Sequence, residues 1–317
     1  GATGTATELG IVKYNSRGQR TAWSGATAEF GLFSNQYLRF PGSGGWQGRS
    51  ISTVHDMHVR GTDIYVLVTQ VTADNRFIPA VIRFRDDGGF GGFWEVAPDG
   101  DFNRAAVAMD VEGNQMVVLG RRTSNNLTQD GGYWTARITI ESSGLLSLGA
   151  VTTLQTGQPR LPVDIAFRRD YPIGLGPISR PYYVAYTFHD STAVNAARRP
   201  CVARINGSNQ IDPGFGENGL LCFPFIDGGN DRDVAVALHT RRFGLFDNNE
   251  ALYLVVDVQR TRANGTGIVN LTNGIADASF GPGGKRLYGG CRGFAAGDGE
   301  GCSSSVGSAR GHRPLAV

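Results

Sequence analysis

The stretch Asp-Pro-Gly-Phe-Gly at residues 212–216 decides the fold, because the pattern Asp-x-x-Phe-Gly recurs at 277–281 and at 87–91. Each copy follows a short run in which apolar and polar residues alternate, a pattern typical of a β-strand. Two degenerate copies occupy residues 20–24 and 145–149. Five related segments in one chain indicate a repeat architecture.

The spacing of the copies predicts a closed ring. They begin at residues 20, 87, 145, 212 and 277, so successive copies are 58 to 67 residues apart, and 60 residues lead from the last copy through the chain end to the first. Each interval holds four strand-like runs, and four strands per repeat in a radial arrangement are a β-propeller. We therefore expect one all-β domain, residues 1–317, that forms a five-bladed β-propeller of four antiparallel strands per blade. The last blade is closed by strands from the N- and C-termini.

The predicted blades are roughly 25–90, 91–149, 150–215, 216–280, and 281–317 together with 1–24. Predicted first and second strands are 51–59 with 64–69, 105–111 with 115–119, and 163–167 with 182–186. One large apolar side chain per repeat is expected to fill the space between blades: Phe90, Phe215, Phe280, Trp23 and Leu148.

The composition excludes several classes of protein. Hydrophobic residues make up 40% of the chain and charged residues only 18%, which argues against a disordered chain and a charged coiled coil. The 46 glycines have no Gly-X-Y period, so collagen is excluded. No apolar run reaches the ~18 residues of a membrane span. A net charge of +2 favours neither nucleic acid nor an anionic membrane as a partner.

The four cysteines predict two disulfides, Cys201–Cys222 and Cys291–Cys302, since each pair is local in sequence and no C-x-x-C spacing is present. Four buried free thiols are the alternative. Disulfides indicate an oxidising compartment, so we expect a secreted, periplasmic or cell-surface protein. Residues 1–8 lack the features of a signal peptide, which on this interpretation marks a mature or trimmed chain.

Residues 212–219 and 277–284 carry the longer pattern Asp-x-x-Phe-Gly-x-x-Gly. This pattern resembles the delta-60 repeats of bacterial extracellular and surface proteins. The resemblance is good for these two segments, partial at 87–91 and degenerate in the other two. It implies propeller blades in a secreted bacterial protein, of unknown function, and supplies no catalytic residues.

One face of the predicted propeller carries loops rich in acidic and amide side chains, and loops on a rigid scaffold commonly bind ligands. Asp99, Asp101 and Asn103 have the one-three-five oxygen spacing of a calcium loop. Arg104 stands where an EF-hand requires glycine, so we expect either a simpler Ca²⁺ site or a turn whose side chains bond their own backbone. The predicted ligand-binding residues on this face are Asp99, Asp101, Asn103, Asp227, Asn230 and Asp231.

A second group of candidates lies on predicted inner strands. Strand alternation directs His55 and Met57 to one side, and Asp56 and His58 to the other. Asp56 and His58 are therefore candidates for a shared metal or an acid-oriented base, with a hydrogen-bonded structural pair as the alternative. Some five-bladed propellers are glycosidases with carboxylates around the channel. The weak catalytic candidates are His55, Asp56, His58, Asp110 and Asp164.

Three functions follow from these patterns. The preferred hypothesis is a non-enzymatic binding or scaffold module with a glycan or protein partner at the cell surface, and with no cofactor other than Ca²⁺. A carboxylate-based glycoside hydrolase is the first alternative. A structural piece of a larger surface assembly is the second, and it would expose a large apolar patch.

Overall fold

A computed structural model describes residues 9–21, 37–40, 50–72, 74–95, 102–124, 130–155, 160–169, 180–189, 198–223, 233–242, 250–259, 264–272 and 274–288. Within these ranges every regular element is a β-strand, except one turn of 3-10 helix at Pro282–Gly284. The prediction of an all-β fold is confirmed. None of the described segments forms a helix long and apolar enough to cross a membrane.

The strands, in chain order, are β1 (Leu9–Val12), β2 (Tyr37–Phe40), β3 (Ser50–Arg60), β4 (Asp63–Val71), β5 (Phe77–Arg85), β6 (Phe90–Glu95), β7 (Phe102–Glu112), β8 (Gln115–Ser124), β9 (Asp130–Ile140), β10 (Leu146–Gln155), β11 (Arg160–Phe167), β12 (Tyr182–His189), β13 (Arg198–Ile205), β14 (Leu220–Cys222), β15 (Val234–Arg242), β16 (Glu250–Gln259), β17 (Asn264–Thr272), β18 (Ile275–Ala276) and β19 (Lys285–Tyr288). The predicted first and second strands all fall within these bounds.

The chain divides into two compact units, residues 1–152 and 153–317. The first unit holds a β1-β2 pair and the four-stranded sheets β3-β4-β5-β6 and β7-β8-β9-β10. The second holds the sheet β11-β12-β13-β14 and a five-stranded sheet, in which β15-β16-β17-β18 is joined by β19 on β17. Each large sheet is built from strands consecutive in sequence, as the repeat predicted.

Strands β4 and β5 are buried on both faces of their sheet, which explains why residues 64–68 of β4 are all apolar rather than alternating. Tyr65 and Leu67 pack with Trp134 of β9, whereas Val66 and Val68 pack with Leu9 of β1. Successive side chains of a strand point to opposite faces, so two buried faces require apolar residues at both. In the second unit, Val202 and Tyr183 similarly pack against Leu254 and other residues of the β15–β19 sheet.

The Asp-x-x-Phe-Gly segments at 212–216 and 277–281 form the same turn. The Asp212 Oδ1 accepts the Gly214 N–H at 3.0 Å, and the Asp277 Oδ1 accepts the Ser279 N–H at 2.9 Å. In both turns the Phe N–H donates to the Asp carbonyl oxygen. Phe215 is buried and lies beneath the Arg204 guanidinium, 5.0 Å from its carbon.

The other copies differ from these two. Asp87 lies in the hairpin between β5 and β6, where the Arg85 N–H donates to the Gly89 carbonyl oxygen, so this segment is a different turn. In the copy at 145–149, Leu148 is 43% exposed whereas Leu146 is 7% exposed and belongs to the core. The prediction that Leu148 fills the core is therefore wrong, and the core residue is Leu146, two positions earlier in the chain. Trp23 lies outside the described residues.

The sheets also end later than the predicted blade boundaries. Those boundaries cut the chain after residues 90, 149 and 215, but β6, β10 and β14 extend to Glu95, Gln155 and Cys222 as the fourth strands of their sheets. In the copies at 87–91 and 145–149 the fourth strand begins within the repeat segment, at Phe90 and Leu146, and in the copy at 212–216 it follows at Leu220. These three segments therefore lie inside a sheet rather than between sheets.

The Cys201 and Cys222 sulfur atoms lie at bonding distance, 2.00 Å apart. The two residues are directly opposite each other on β13 and β14, so the bond ties the three-residue β14 to its only partner strand within the described sheet. The Cys291–Cys302 prediction lies outside the described residues.

Threonine side chains link consecutive sheets within each unit. Thr69 of β4 accepts the Ala106 N–H of β7 at 3.0 Å, and Thr187 of β12 accepts the Ala235 N–H of β15 at 3.1 Å. Both threonines are almost fully buried. Each therefore satisfies a backbone donor that would be costly to leave unpaired.

Basic side chains make a second set of links in the first unit. The Lys13 Nζ donates to the Asp86 carbonyl oxygen at 2.9 Å, and the Arg83 Nη1 donates to the Ser143 carbonyl oxygen at 3.2 Å. Gly144 lies beneath Arg83 with φ +78°, and a Cβ there would lie 2.1 Å from the guanidinium carbon. Glycine is therefore required at this position for both conformation and space.

Replacing Thr187 by valine is expected to cost about 1–3 kcal/mol in the free energy of unfolding, because the Ala235 N–H loses its acceptor while it stays buried. Urea denaturation of the full chain measures the loss. Thr53→Val, at an exposed position, is the control and should change stability by less than ~0.5 kcal/mol. A Thr187→Val protein as stable as the wild type would contradict the link.

Removing the Cys201–Cys222 bond by a double alanine substitution is expected to cost about 3 kcal/mol, from the loop entropy of a separation of 21 residues. Urea denaturation with and without a dithiol reductant measures it. Reduction should destabilise the wild type by more than it destabilises the double variant. Equal effects of reductant on both proteins would show that this bond contributes nothing.

Candidate functional site

The predicted ligand-binding loops cannot be placed in the fold. Asp99, Asp101, Asp227, Asn230 and Asp231 lie outside the described residues. For Asn103 only the backbone is described, in β7 opposite Thr123 of β8. The ligand face and the Ca²⁺ site therefore stay predictions.

All five weak catalytic candidates do lie on described strands, and each of those is the first strand of its sheet. His55, Asp56 and His58 are on β3, Asp110 is on β7 and Asp164 is on β11. First strands pair with only one neighbour in the described sheets. Their second edge is thus available to the following sheet of the same unit.

The side chains of β3 do not alternate regularly between the two faces of the strand at His55. The register of β3 against β4 shifts between Val54 and Asp56, so His55 is the extra residue of a β-bulge. A bulge allows two successive side chains to lie on the same side of a strand. The His55 Nε2 lies 2.7 Å from the Thr69 Oγ1, and Thr69 itself accepts from β7. The prediction that His55 and Asp56 face opposite sides is therefore wrong, since both are directed towards β7.

Each carboxylate oxygen of Asp56 accepts a backbone donor. Its Oδ1 accepts the N–H of the next residue, Met57, at 2.8 Å. Its Oδ2 accepts the N–H of Met109 on β7 at 3.0 Å. The side chain therefore joins the first strands of two consecutive sheets.

Asp164 repeats this arrangement in the second unit. Its Oδ1 accepts the Ile165 N–H at 2.8 Å, and its Oδ2 accepts the Leu238 N–H of β15 at 2.6 Å. The register of β11 also shifts immediately before this residue, between Pro162 and Asp164. Asp110 makes the first of these two bonds, since its Oδ1 accepts the N–H of the next residue, Val111, at 2.8 Å.

Asp56, His58 and Asp110 form a cluster between β3 and β7. The His58 Nε2 lies 3.7 Å from the Asp56 Oδ2, and the His58 Nδ1 lies 3.9 Å from the Asp110 Oδ1. Asp110 is nearly inaccessible to solvent, with 5% of its side chain exposed, against 32% for His58. The cluster thus places one imidazole between two carboxylates of neighbouring sheets.

The environment shifts three pKa values in this region. Burial lowers the pKa of His55, assisted by the charge of Arg121. Burial opposes the charged forms of Asp56 and His58 too. The attraction between the two side chains outweighs it, assisted by the backbone N–H bonds to Asp56 and by the charge of Asp110 near His58. The pKa of Asp56 is therefore lowered and that of His58 is raised. A carboxyl with a lowered pKa is ionised at neutral pH and unsuited to donate a proton.

The cluster does not form a metal centre. Asp56 and Asp110 approach different ring nitrogens of His58, so the three side chains do not converge on one point. Across the described part of the chain, no group of three His, Cys, Asp or Glu side chains has the geometry to hold a metal ion.

A buried polar network around Glu250 in the second unit was not predicted from the sequence. Glu250 of β16 is 2% exposed, and its Oε1 accepts the Arg169 N–H at 2.7 Å while its Oε2 accepts the Tyr183 hydroxyl at 3.0 Å. The Arg168 Nε lies 3.7 Å from the same Oε2. Burial, followed by the charge of Glu250, raises the pKa of Tyr183. The only signal in the sequence was a tyrosine at the equivalent position of β4, Tyr65.

No protein-family model matches the chain, and no curated protein sequence matches it. Function must therefore be argued from these contacts.

Replacing Asp164 by asparagine is expected to lower the free energy of unfolding by about 1–3 kcal/mol, because an amide accepts only one of the two N–H bonds and presents its NH₂ group to the other. Chemical denaturation measures the change, and Asp56→Asn should behave alike. Asp74→Asn is the matched control, since Asp74 is 63% exposed. Should Asp164→Asn be as mild as the control, the carboxylate would not be fastening the sheets.

Proposed function

We propose that the chain is a five-bladed β-propeller that serves as a non-enzymatic binding or scaffold module of a secreted or cell-surface bacterial protein. Consecutive sheets of four or five antiparallel strands, packed within each unit, support the blade interpretation. The β1-β2 pair packs on the β3–β6 sheet through Leu9 and Ile11, as part of a further blade would. The Cys201–Cys222 bond supports an oxidising location.

The observation that carries this proposal is that the inner-strand carboxylates are committed to backbone hydrogen bonds. Both oxygens of Asp56 and of Asp164 accept N–H groups of the protein itself. A catalytic carboxylate instead needs oxygens free to contact substrate or water. The preferred role of these residues is to hold the sheets together.

The pKa directions support the same conclusion over a glycoside hydrolase. Such an enzyme needs one carboxyl whose pKa is raised, so that it is protonated and can donate to the leaving group. Asp56 and Asp110 flank His58, yet the pKa of Asp56 is lowered. Asp56 therefore lacks the property that a general acid requires.

The proposed ligand is a glycan or a protein held by the loop face that carries Asp99, Asp101, Asp227 and Asn230. Asn103 lies next to this face at the start of β7, and Ca²⁺ bridges to the ligand or orders the loop. Carboxylate and amide oxygens are the usual Ca²⁺ ligands. Loops of a rigid sheet scaffold vary without disturbing the core, which suits them to recognition.

A glycan array probed with the full chain in Ca²⁺ and in chelator is the test. We expect binding that weakens in chelator and in an Asp99→Asn/Asp101→Asn double variant, while the exposed control Asp74→Asn binds normally. Release of sugar from the same glycans by the wild type, abolished by Asp56→Asn or Asp164→Asn in folded protein, would favour the hydrolase instead. Absence of binding would remove glycans and leave a protein partner.

A further inference from the structure

Only the protonated form of His58 presents an N–H group to both of the carboxylates beside its ring. Asp56 lies 3.7 Å from one ring nitrogen and Asp110 lies 3.9 Å from the other. A protonated imidazole carries N–H groups on both nitrogens, whereas the neutral ring carries one. The neutral ring therefore leaves one carboxylate facing a nitrogen lone pair.

The two carboxylates belong to different sheets of the first unit. Asp56 is on β3 and Asp110 is on β7. The Asp56 oxygen that faces His58 is Oδ2, the same atom that accepts the Met109 N–H of β7. A positive charge on His58 thus acts at the point where the two sheets are joined.

We propose that protonated His58 is a pH-sensitive clamp between the β3–β6 and β7–β10 sheets, which holds them at acidic pH and loosens as the ring loses its proton. When the ring is neutral, the attraction of the imidazolium for the carboxylates of Asp56 and the almost fully buried Asp110 is lost. Like charges in a poorly solvated site repel. The proposal does not depend on the ligand or on closure of a propeller.

The other ionisable groups near His58 have their own partners. Tyr65 of β4 lies opposite His58 in the strand register, and its hydroxyl donates to the Asp63 Oδ2 at 3.4 Å. Arg60, two residues further along β3, donates from its Nε to the Gly113 carbonyl oxygen. Asp56 and Asp110 are accordingly the two charges that govern the His58 ring.

The direction of the pH effect follows from the pKa of His58. Burial opposes the imidazolium, but Asp56 and Asp110 outweigh it, so the folded-state pKa lies above the ordinary value of 6.5. A raised pKa contributes stability that is fully present below 6.5 and is lost as pH rises through the folded value. The ratio of folded to unfolded protein changes about tenfold for each unit by which the pKa is raised.

The first test compares the wild type with His58→Gln by urea denaturation of the full chain at pH values below and above the His58 titration. We expect the variant to be several-fold less stable than the wild type in acid, with the gap closing at alkaline pH. His239→Gln is the matched control, since His239 is an exposed histidine on the first strand β15. The control should leave the pH dependence of the wild type unchanged. A gap between wild type and His58→Gln that is the same at both pH values would overturn the proposal.

The second test needs no stable variant at position 58. An NMR titration of the histidine rings in the wild type should contain one folded-state pKa above 6.5. We expect Asp110→Asn to lower that pKa, because it removes the charge contributed by β7, whereas Asp74→Asn should leave it in place. The clamp is refuted if every histidine titrates at or below the ordinary value, or if Asp110→Asn has no effect.

Discussion

Backbone N–H groups on the first strand of one sheet donate to side-chain oxygens of the preceding sheet, and the packing of sheets within each unit depends on these bonds. Apolar contact holds two sheet faces together but has little directional preference. The bonds from Met109 to Asp56 and from Leu238 to Asp164 fix where one first strand lies along the next. Direction and register thus come from a few polar contacts set in an apolar core.

These contacts occur in matched sets. In each unit an aspartate and a threonine of one sheet accept from two N–H groups three residues apart in the next, Ala106 and Met109 in one case and Ala235 and Leu238 in the other. Arg60 and Arg168, each four residues after the aspartate, both reach the following sheet. The two units therefore join their consecutive sheets by the same set of contacts.

The sequence predicted the strands well because apolar runs and turn residues specify them locally, and it predicted the Cys201–Cys222 pair because a short loop joins two such runs. It did not predict which side chains face which sheet. The β-bulge at His55 reverses the alternation on which that inference depends, and Leu146 rather than Leu148 enters the core. A shift of one or two residues is invisible in composition but decides every contact.

The same physics gives the aspartates on the first strands of the sheets a structural role. A buried carboxylate is costly unless its oxygens are bonded, and a free strand edge is costly unless its N–H groups are bonded. Placing Asp56 or Asp164 against such an edge meets both requirements at once. An aspartate in this position is thus accounted for by the sheets themselves.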